Sequence, residues 1–366
     1  MKIECVKDKF LEAVQKIDKV TGKNLSLPIL SCVSMEARGG DVLLKATNLD
    51  MGIEINFPAK VITPGKVAIP NSTLLQFLSN LSSNEKISLE SLDGVVHITT
   101  KNISTKIKTQ PHEEFPIIPR VTDGTSFEIE PDGFVQGLRS VWYSSAVSSM
   151  KPELASVYIY HSDDSLVFVA TDSFRLAEKR IKAKKIKDFG NILIPFKNVS
   201  EIVRILEFVH DLVEIVINQN QISFSWTGTY LVSRIIDGTF PDYKQIIPKD
   251  PKTEAVVLKE DCVQALKRAN VFSDTFHQVT FRIEPKEKTF EVSTKNNDVG
   301  ENKEQLDGVL KGDDVAISFN YKYLSDCFQS ISSDSLSLSF EGLGRPLVIR
   351  GISDSSFLYL VMPMNK

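Results

Sequence analysis

The sequence predicts an α+β protein of three similar domains, each with two helices packed against antiparallel sheets. Three observations support this prediction. Three similar amphipathic helical segments recur along the chain, a strand that ends in threonine follows each of them, and a strand, a second helix and a hairpin then follow in the same order every time. Internal repeats of this kind identify the unit from which a chain is built.

Length and composition agree with a multidomain globular protein. The chain has 366 residues, of which 42% are hydrophobic and 25% charged. This is too long for one typical core and sufficient for two or three. The formal net charge is −4 and the isoelectric point is about 5.9. These values argue against a protein that holds nucleic acid by overall charge, because such domains are usually basic.

The first half of each repeat contains a helix and a strand. Apolar residues at helical spacing define the segments Phe10–Ile17, Phe134–Val141 and, more weakly, Cys262–Ala269. The strands that follow are Val42–Thr47, Leu166–Thr171 and Phe290–Thr294. Their final threonines are separated by 124 and 123 residues (171 − 47 and 294 − 171).

The second half begins with a short β-rich run, which is Val67–Pro70, Ile192–Pro195 or Val315–Ser318. The helix after each run has an apolar face at spacings of three and four, formed by Leu74, Leu75, Leu78 and Leu81, by Val199, Ile202, Val203 and Leu206, and by Leu324, Cys327, Phe328 and Ile331. A hairpin follows, with its clearest turn at Asp93-Gly94 between Lys86 and Thr100. The later hairpins pair Val213–Ile217 with Gln221–Trp226, and Ser335–Phe340 with Pro346–Arg350.

Each repeat closes on a proline, in Phe115-Pro116, Phe240-Pro241 and Met362-Pro363. We therefore expect domains at residues 1–120, 125–247 and 250–366, joined by the short links Val121–Thr125 and Pro248–Lys252. Similar domains with short links turn through a similar angle at each joint. They should form an arc, and two arcs that meet head to tail would close a ring.

The sequence gives no support for catalysis. The five histidines lack metal-ligand spacing, and neither a phosphate-binding loop at Gly22-Lys23-Asn24 nor a Gly-x-Ser-x-Gly motif is present. The pairs Asp163-Asp164 and Asp313-Asp314 fit solvated turns. We expect no cofactor and no metal.

Cysteine usage and the N-terminus indicate a cytoplasmic protein. The four cysteines, Cys5, Cys32, Cys262 and Cys327, are far apart in sequence and form no Cys-x-x-Cys pair. Neither a zinc site nor a disulfide framework is therefore indicated. The segment Met1–Lys7 has no apolar core typical of a signal peptide, and no apolar run approaches the roughly 20 residues that span a bilayer. We expect a protein that is neither exported nor embedded in a membrane.

Cations cluster on the predicted helices. In the first helix Lys9, Lys16, Lys19 and Lys23 fall in one sector, away from the apolar face. Further cations on helices are Arg139, Lys197, Arg204, Lys267 and Arg268. For any one helix, an ordinary solvent-exposed face explains the presence of these cations. If the helices line the inside of an arc, however, an acidic protein can present a basic inner surface. The basic run Lys179–Lys187 is interpreted as a mostly solvated strand.

The segment Ala170–Ala177 joins an apolar strand to a polar link that carries an aromatic residue and a cation. On its own it fits the end of a hairpin whose Thr and Asp satisfy a turn. Together with Leu27–Leu30, Asp237–Tyr243 and Tyr359–Met364, it resembles the bacterial sliding clamps, the beta subunits of the replicative DNA polymerase. The resemblance covers the full chain in order.

This resemblance implies a non-catalytic processivity factor, a head-to-tail homodimeric ring of six domains with helices inside and sheets outside. Such a ring encircles duplex DNA without sequence preference. The residues it implies as facing DNA are Lys9, Lys16, Lys19, Lys23, Asn24, Arg139, Lys197, Arg204 and Lys267. For the dimer interface it implies Thr105 and Ile107 of one chain against Val271 and Phe272 of the other.

The resemblance also implies a pocket that binds short peptides from the polymerase alpha subunit, the clamp loader and other proteins with a clamp-binding motif. One lobe comprises Leu154, Thr171, Ser173, Phe174, Arg175, Leu176, Pro241, Gln245 and Ile246, and the other Phe276, Asn320, Tyr323, Pro346, Val361, Met362, Pro363 and Met364. Apolar and methionine side chains suit a groove with many partners. Ser173 in place of glycine, Gln245 in place of arginine, and the ending Asn365-Lys366 depart from the family pattern and affect the expected peptide preference.

Two other functions fit parts of the sequence less well. A monomeric β-rich adaptor could reuse the repeats to bind peptides without encircling DNA, and its sedimentation as a monomer would distinguish it from a ring. An uncharacterised hydrolase lacks a recognisable site in the sequence.

Overall fold

The structure is a computed structural model that describes residues 1–22, 27–183, 186 and 188–364. The first third contains β1 (Lys2–Val6), α1 (Lys7–Asp18), β2 (Cys32–Arg38), β3 (Asp41–Thr47), β4 (Met51–Pro58), β5 (Lys60–Thr63), β6 (Gly65–Pro70), α2 (Asn71–Ser79), β7 (Lys86–Leu92), β8 (Val95–Thr99) and β9 (Ser104–Lys108).

The middle third contains β10 (Thr125–Ile129), α3 (Pro131–Val141), β11 (Ser156–Ser162), β12 (Ser165–Thr171), β13 (Arg175–Lys182), β14 (Asn191–Pro195), α4 (Phe196–Leu206), β15 (Val213–Ile217), β16 (Gln221–Trp226) and β17 (Thr229–Arg234). The last third contains β18 (Thr253–Leu258), α5 (Lys259–Val271), β19 (Gln278–Glu284), β20 (Thr289–Asn296), β21 (Gly300–Gln305), β22 (Gly308–Gly312), β23 (Val315–Asn320), α6 (Tyr321–Asp326), β24 (Ser335–Phe340), β25 (Leu347–Gly351) and β26 (Phe357–Val361). Short 3-10 helices include Tyr243–Ile246 and Cys327–Ser330.

The predicted helices and hairpins are confirmed, with two differences in length. Helix α2 ends at Ser79, so Leu81 lies beyond it. The helix predicted through Ile331 ends at Asp326 and continues as the 3-10 helix Cys327–Ser330, a tighter winding that often ends a helix. The helical residues of these apolar faces are buried except for the half-buried Leu75, and Leu81 and Ile331, which lie beyond the helix ends, are buried as well.

The chain forms two compact units, and the first comprises residues 1–132, 186–189 and 197–235. Its sheets have the orders β5-β1-β7-β8-β9 and β10-β15-β16-β17-β4-β3-β2-β6. Helix α1 buries Phe10, whose ring stacks on Phe57 of β4 with centroids 5.3 Å apart. Strand β17 pairs antiparallel with β4, so a strand of the second predicted domain extends a sheet of the first.

The second unit comprises residues 133–185, 190–196 and 236–366. Its sheets have the orders β14-β11-β12-β13-β26-β25-β24-β18-β22 and β21-β20-β19-β23. Helix α3 approaches β12 closely at Gly137, where an added Cβ would lie 2.4 Å from the Phe168 ring, so only glycine fits. Strand β13 pairs antiparallel with β26.

These two pairings explain why three sequence repeats give two compact units. The halves of the middle repeat each continue a sheet of a neighbouring repeat, so contacts follow the sheets rather than the order of the repeats. The boundaries 1–120, 125–247 and 250–366 stay predictions.

Candidate functional site

The site is built around the turn that connects β12 to β13. The Thr171 hydroxyl donates to the carbonyl oxygen of Arg175 (2.7 Å), and Asp172 Oδ1 accepts from the amides of Phe174 (2.9 Å) and Arg175 (3.0 Å). Ser173 has a positive φ of 77°. Thr171 and Asp172 thus satisfy the backbone of the turn, while the Phe174 side chain is left 59% exposed.

The same turn occurs between β3 and β4. The Thr47 hydroxyl donates to the carbonyl oxygen of Met51 (2.7 Å), and Asn48 Oδ1 accepts from the amides of Asp50 (3.0 Å) and Met51 (2.8 Å). Leu49 has a φ of 76°. The first two repeats are therefore alike at the level of single hydrogen bonds.

The side chain of Arg175 is fixed by hydrogen bonds to other residues of the chain. Its Nε donates to Asp172 Oδ2 (3.0 Å) and its Nη1 to Asp326 Oδ2 (2.5 Å). The guanidinium lies 4.6 Å from the centre of the Tyr323 ring and 6.0 Å from that of Tyr143. Burial alone would lower the pKa of Arg175, but Tyr359 and the two carboxylates raise it above its usual value. Arg175 thus fastens the turn to α6.

The C-terminal segment runs beside this turn. The amide of Met362 donates to the carbonyl oxygen of Phe174 (2.7 Å), and the amide of Met364 donates to the carbonyl oxygen of Ser318 (2.8 Å). Pro363 and Met364 are half-buried, whereas Met362 is exposed. Residues 365 and 366 lie outside the described residues.

The residues predicted for the pocket divide into an exposed set, a buried set and a half-buried set, which comprises Arg175, Asn320, Tyr323, Pro363 and Met364. The exposed members are Ser173, Phe174, Pro241, Gln245, Ile246, Phe276 and Met362. The buried members are Leu154, Thr171, Leu176, Pro346 and Val361. We call the exposed side chains of Phe174, Ile246, Phe276 and Met362 the apolar surface of the second unit.

Residues on β13 and β26 contribute side chains to both faces of one sheet. Arg175 is paired with Val361 and Leu176 with Leu360, and successive residues of a strand point to opposite faces. Leu176, only 1% exposed, belongs to an apolar cluster with Phe240, Tyr243, Leu358 and Leu360. Leu176, which the resemblance places in the pocket, is thus covered by this cluster in the structure.

The side chain of Asn320 makes its hydrogen bonds within the chain. It caps α6 by accepting from the amide of Lys322 (2.9 Å), and its Nδ2 donates to the carbonyl oxygen of Phe276 (3.2 Å). Tyr323 accepts at its carbonyl from the Tyr359 hydroxyl (2.7 Å), and Gln245 Nε2 donates to Asp242 Oδ2 (2.7 Å). These polar groups shape the site through contacts within the chain.

Glu178 is not among the residues predicted from the sequence, although it holds one wall of the site. It is buried, accepts a hydrogen bond from the Tyr243 hydroxyl and accepts another from Arg180 Nε (2.8 Å). The Tyr160 hydroxyl lies 2.9 Å from that of Tyr243. Burial and the bond to Glu178 raise the pKa of Tyr243. The available signal is the alternation of β13, which puts Glu178 on the face of Leu176.

The described cations predicted to face DNA lie on helices of both units, except Lys19, which follows the end of α1 at Asp18. Lys9, Lys19, Arg139, Lys197, Arg204 and Lys267 are exposed. Lys16 Nζ pairs with Glu12 (3.0 Å), and Arg204 Nη1 pairs with Glu201 (3.0 Å). Lys23 and Asn24 lie outside the described residues.

The residues predicted for the dimer interface lie at sheet and helix ends. Thr105 and Ile107 are on β9, the edge strand of the five-stranded sheet, and the Ile107 side chain is buried in its own unit. Val271 is exposed at the end of α5, next to the half-buried Phe272.

The described residues offer neither a metal site nor a membrane-spanning helix. In the described ranges no group of three or more His, Cys, Asp or Glu side chains could hold a metal ion. No helix in the described part of the chain is long and apolar enough to cross a bilayer. The four cysteines are free and buried, and burial raises the pKa of Cys5 and Cys262 to about 12.

Comparisons with known proteins give one consistent result. Three models of the DNA polymerase III beta subunit match in order, for the N-terminal domain (residues 1–119), the central domain (128–242) and the C-terminal domain (244–365). The beta sliding clamp of Bacillus subtilis is 27% identical over 378 residues, covering 100% of both chains.

Two solved structures show the same fold. The DNA polymerase sliding clamp of Bacillus subtilis has a TM-score of 0.94 and 25% identity, with 100% of this chain and 99% of that chain covered. A sliding clamp from Bartonella birtlesii, solved bound to griselimycin, has a TM-score of 0.94 and 26% identity, with 100% of each chain covered.

Proposed function

The chain belongs to the DNA polymerase III beta subunit family, and from this membership we propose that it is a DNA sliding clamp. Two copies form a ring around duplex DNA and tether the replicative polymerase and other DNA-processing proteins during replication. The ring itself is not an enzyme. The observation that carries this proposal is the match of three successive domain models of one family along a threefold repeat.

Free sheet edges support the dimer. Strand β9 ends the five-stranded sheet and β21 ends the four-stranded sheet, so each has a row of backbone groups available for a partner strand. Lys106 on β9 and Glu301 on β21 have opposite charges, which favours pairing between two chains. We propose that Thr105 and Ile107 of one chain meet Val271 and Phe272 of the other, with Ile107 contributing backbone rather than side chain.

The hold on DNA is topological in this proposal. Because the ring encloses the duplex, the exposed cations on the helices need only make weak phosphate contacts that do not depend on sequence. Such weak contacts are compatible with the negative overall charge. Such contacts are screened over about 10 Å at 0.1 M salt. The residues proposed to face DNA are Lys9, Lys16, Lys19, Lys23, Asn24, Arg139, Lys197, Arg204 and Lys267.

The apolar surface of the second unit is the proposed docking site for partner peptides. Phe174, Ile246, Phe276 and Met362 offer exposed apolar contacts, while Arg175, Asn320 and Glu178 hold the segments that carry them. Polymerase alpha subunit, clamp loader and other clamp-binding proteins would use this one surface, since flexible methionine and aromatic contacts adapt to several sequences.

The proposal places the protein in the cytoplasm, where bacterial DNA is replicated, with no cofactor and domains at residues 1–120, 125–247 and 250–366.

Retention on DNA tests the function directly. Protein placed on nicked circular duplex by a clamp loader should stay bound, and it should be released once a restriction enzyme linearises the same DNA. Blocking both ends of the linear DNA with bound protein should restore retention. Equal retention on open linear and circular DNA, or sedimentation only as a monomer, would contradict the ring and favour the peptide-binding adaptor.

A further inference from the structure

A cavity of about 470 Å³ lies in the first unit, beside α1 and the end of the β16–β17 hairpin. Helix α1 contributes Lys9, Glu12 and Lys16, whose spacings of three and four place them on one stripe. The other side is formed by Phe208 and Asp211, which follow α4, and by Trp226 at the end of β16. A volume of this size is typical of sites for small ligands.

One wall of the cavity is held by backbone pairing. Thr229 of β17 pairs with Ile55 of β4, and the amide of Asn56 donates to the carbonyl oxygen of Gly228 (2.7 Å). This pairing fixes the hairpin that carries Trp226. This wall of the cavity is therefore fixed by contacts within the chain.

Two aromatic side chains line this cavity without being part of the core. Trp226 is half-buried, and Phe208 is 73% exposed. The exposed ring of Phe208 and the half-buried indole of Trp226 thus give the cavity two aromatic surfaces, on which a planar group can stack.

The charges divide into a neutralised pair and two groups without an ion pair. Lys16 pairs with Glu12 at 3.0 Å. Among the described residues, Lys9 and Asp211 form no ion pair or side-chain hydrogen bond. Within that described part of the chain, the cavity thus offers a free cation, a free hydrogen-bond acceptor and two aromatic surfaces.

We propose that this cavity binds one unstacked nucleotide of single-stranded DNA. The base stacks on Phe208 or Trp226, Lys9 contacts a phosphate, and Asp211 accepts a hydrogen bond from an exocyclic amino group, since an ionised carboxylate can only accept. Duplex DNA does not enter, because its bases are stacked on both faces and unstacking costs free energy. The inference rests on the proposed function only in that DNA is the partner.

The fluorescence of Trp226 gives a direct readout. The chain has two tryptophans, Trp142 and Trp226, and Trp142 does not line the cavity. In a Trp142→Phe background, short oligo(dC) should quench Trp226 with a saturable curve. Oligo(dT), which lacks an exocyclic amino group, should bind more weakly, and a blunt duplex of the same length should not quench.

Two variants test the assigned roles. Phe208→Ala should weaken oligo(dC) binding about tenfold, in line with the effect of removing one stacking aromatic. Leu212→Ala is the matched control, because Leu212 is also exposed and lies outside the cavity lining. Asp211→Asn should reduce the preference for oligo(dC) over oligo(dT).

The proposal is overturned if Phe208→Ala leaves the quenching curve unchanged, if Leu212→Ala weakens it equally, or if blunt duplex quenches as well as oligo(dC). Retention on circular duplex is measured in parallel, and Phe208→Ala should leave it intact. Failure of the parent protein to stay on circular DNA would contradict the clamp function, whereas the quenching result stands on its own.

Discussion

The backbone N–H of Met362 donates a hydrogen bond of 2.7 Å to the carbonyl oxygen of Phe174. This bond places the end of the chain beside a turn that lies far earlier in the sequence. Two residues later, Met364 is tied to Ser318 by a bond of 2.8 Å. The terminal segment is therefore held by its backbone on two sides, and the side chain of Met362 stays exposed for a partner.

Removing Met362 through Lys366 should abolish binding of both polymerase and loader peptides, because it removes one residue of the apolar surface and frees the two carbonyls that fix the segment. Removal of each backbone hydrogen bond should lower the free energy of unfolding by about 0.5–1.5 kcal/mol. The dimer should persist, since the proposed interface uses other strands. Fluorescence anisotropy with labelled peptides and sedimentation velocity measure the two effects. If the truncated protein still binds the peptides, the pocket lies elsewhere. If the truncated protein is a monomer, the terminal segment is needed for the dimer rather than only for peptide binding.

Phe174→Ala and Phe276→Ala should each weaken peptide binding by about 2 kcal/mol if these residues are central anchors. Both side chains are exposed, so the free energy of unfolding should change by no more than about 0.5 kcal/mol. Leu343→Ala, another exposed apolar residue, is the control and should leave the affinity unchanged. Isothermal titration with a clamp-binding peptide measures the affinities. If both variants bind the peptide with full affinity, the apolar surface is not the docking site.

Leu176→Ala should behave differently from these surface variants. Leu176 is buried in the apolar cluster with Phe240 and Leu360, so its truncation should lower the free energy of unfolding by about 2–5 kcal/mol. Urea denaturation measures this destabilisation. A change below about 1 kcal/mol would mean that the side chain is not packed as described, because truncation of a buried leucine costs more than that.

Phe272→Asp should shift the dimer toward monomer, because it puts a charge where interface cores are depleted of charge. Phe272 follows the last residue of α5, the exposed Val271. Leu343→Asp introduces the same charge on an exposed loop and should leave the dimer intact. Sedimentation equilibrium at submicromolar protein measures the association. An unchanged dimer in Phe272→Asp would count against this placement of the interface.

Replacing Lys16, Lys19 and Lys23 with glutamine should weaken direct DNA binding equally for all sequences. The slope of log K against log salt should become shallower by about 0.9 for every phosphate that the protein no longer neutralises. Replacing the exposed Lys252, Lys286 and Lys288 changes the net charge by the same amount and should have little effect. Binding titrations over a range of salt concentrations give the slopes. Tight, sequence-specific binding by unloaded protein would be incompatible with a topological hold.

The three repeats, their helices and their hairpins were predictable from the sequence because they depend on local patterns. Apolar spacing defines a helix or strand face, and Asp93-Gly94 has the positive φ values of 48° and 74° that its hairpin turn requires. The turns at Thr47 and Thr171 repeat because a threonine hydroxyl and the side-chain oxygen of the next residue, Asn48 or Asp172, satisfy the same backbone groups within five residues. The sliding-clamp resemblance then indicated the partners.

The tertiary structure alone decided which of the predicted pocket residues are available to a partner. Leu176 and Phe174 are two residues apart, yet one is buried and the other exposed. Leu176 lies on β13 and packs in an apolar cluster with Phe240 and Leu360, whereas Phe174 lies in the turn before that strand. Arg175 and Asn320 are engaged by Asp326 and Phe276, which are distant in sequence. The cavity beside Trp226 likewise requires β17 to pair with β4. Local patterns specify elements, whereas burial, ion pairs and cavities depend on contacts between residues far apart in the chain, and no spacing rule encodes those contacts.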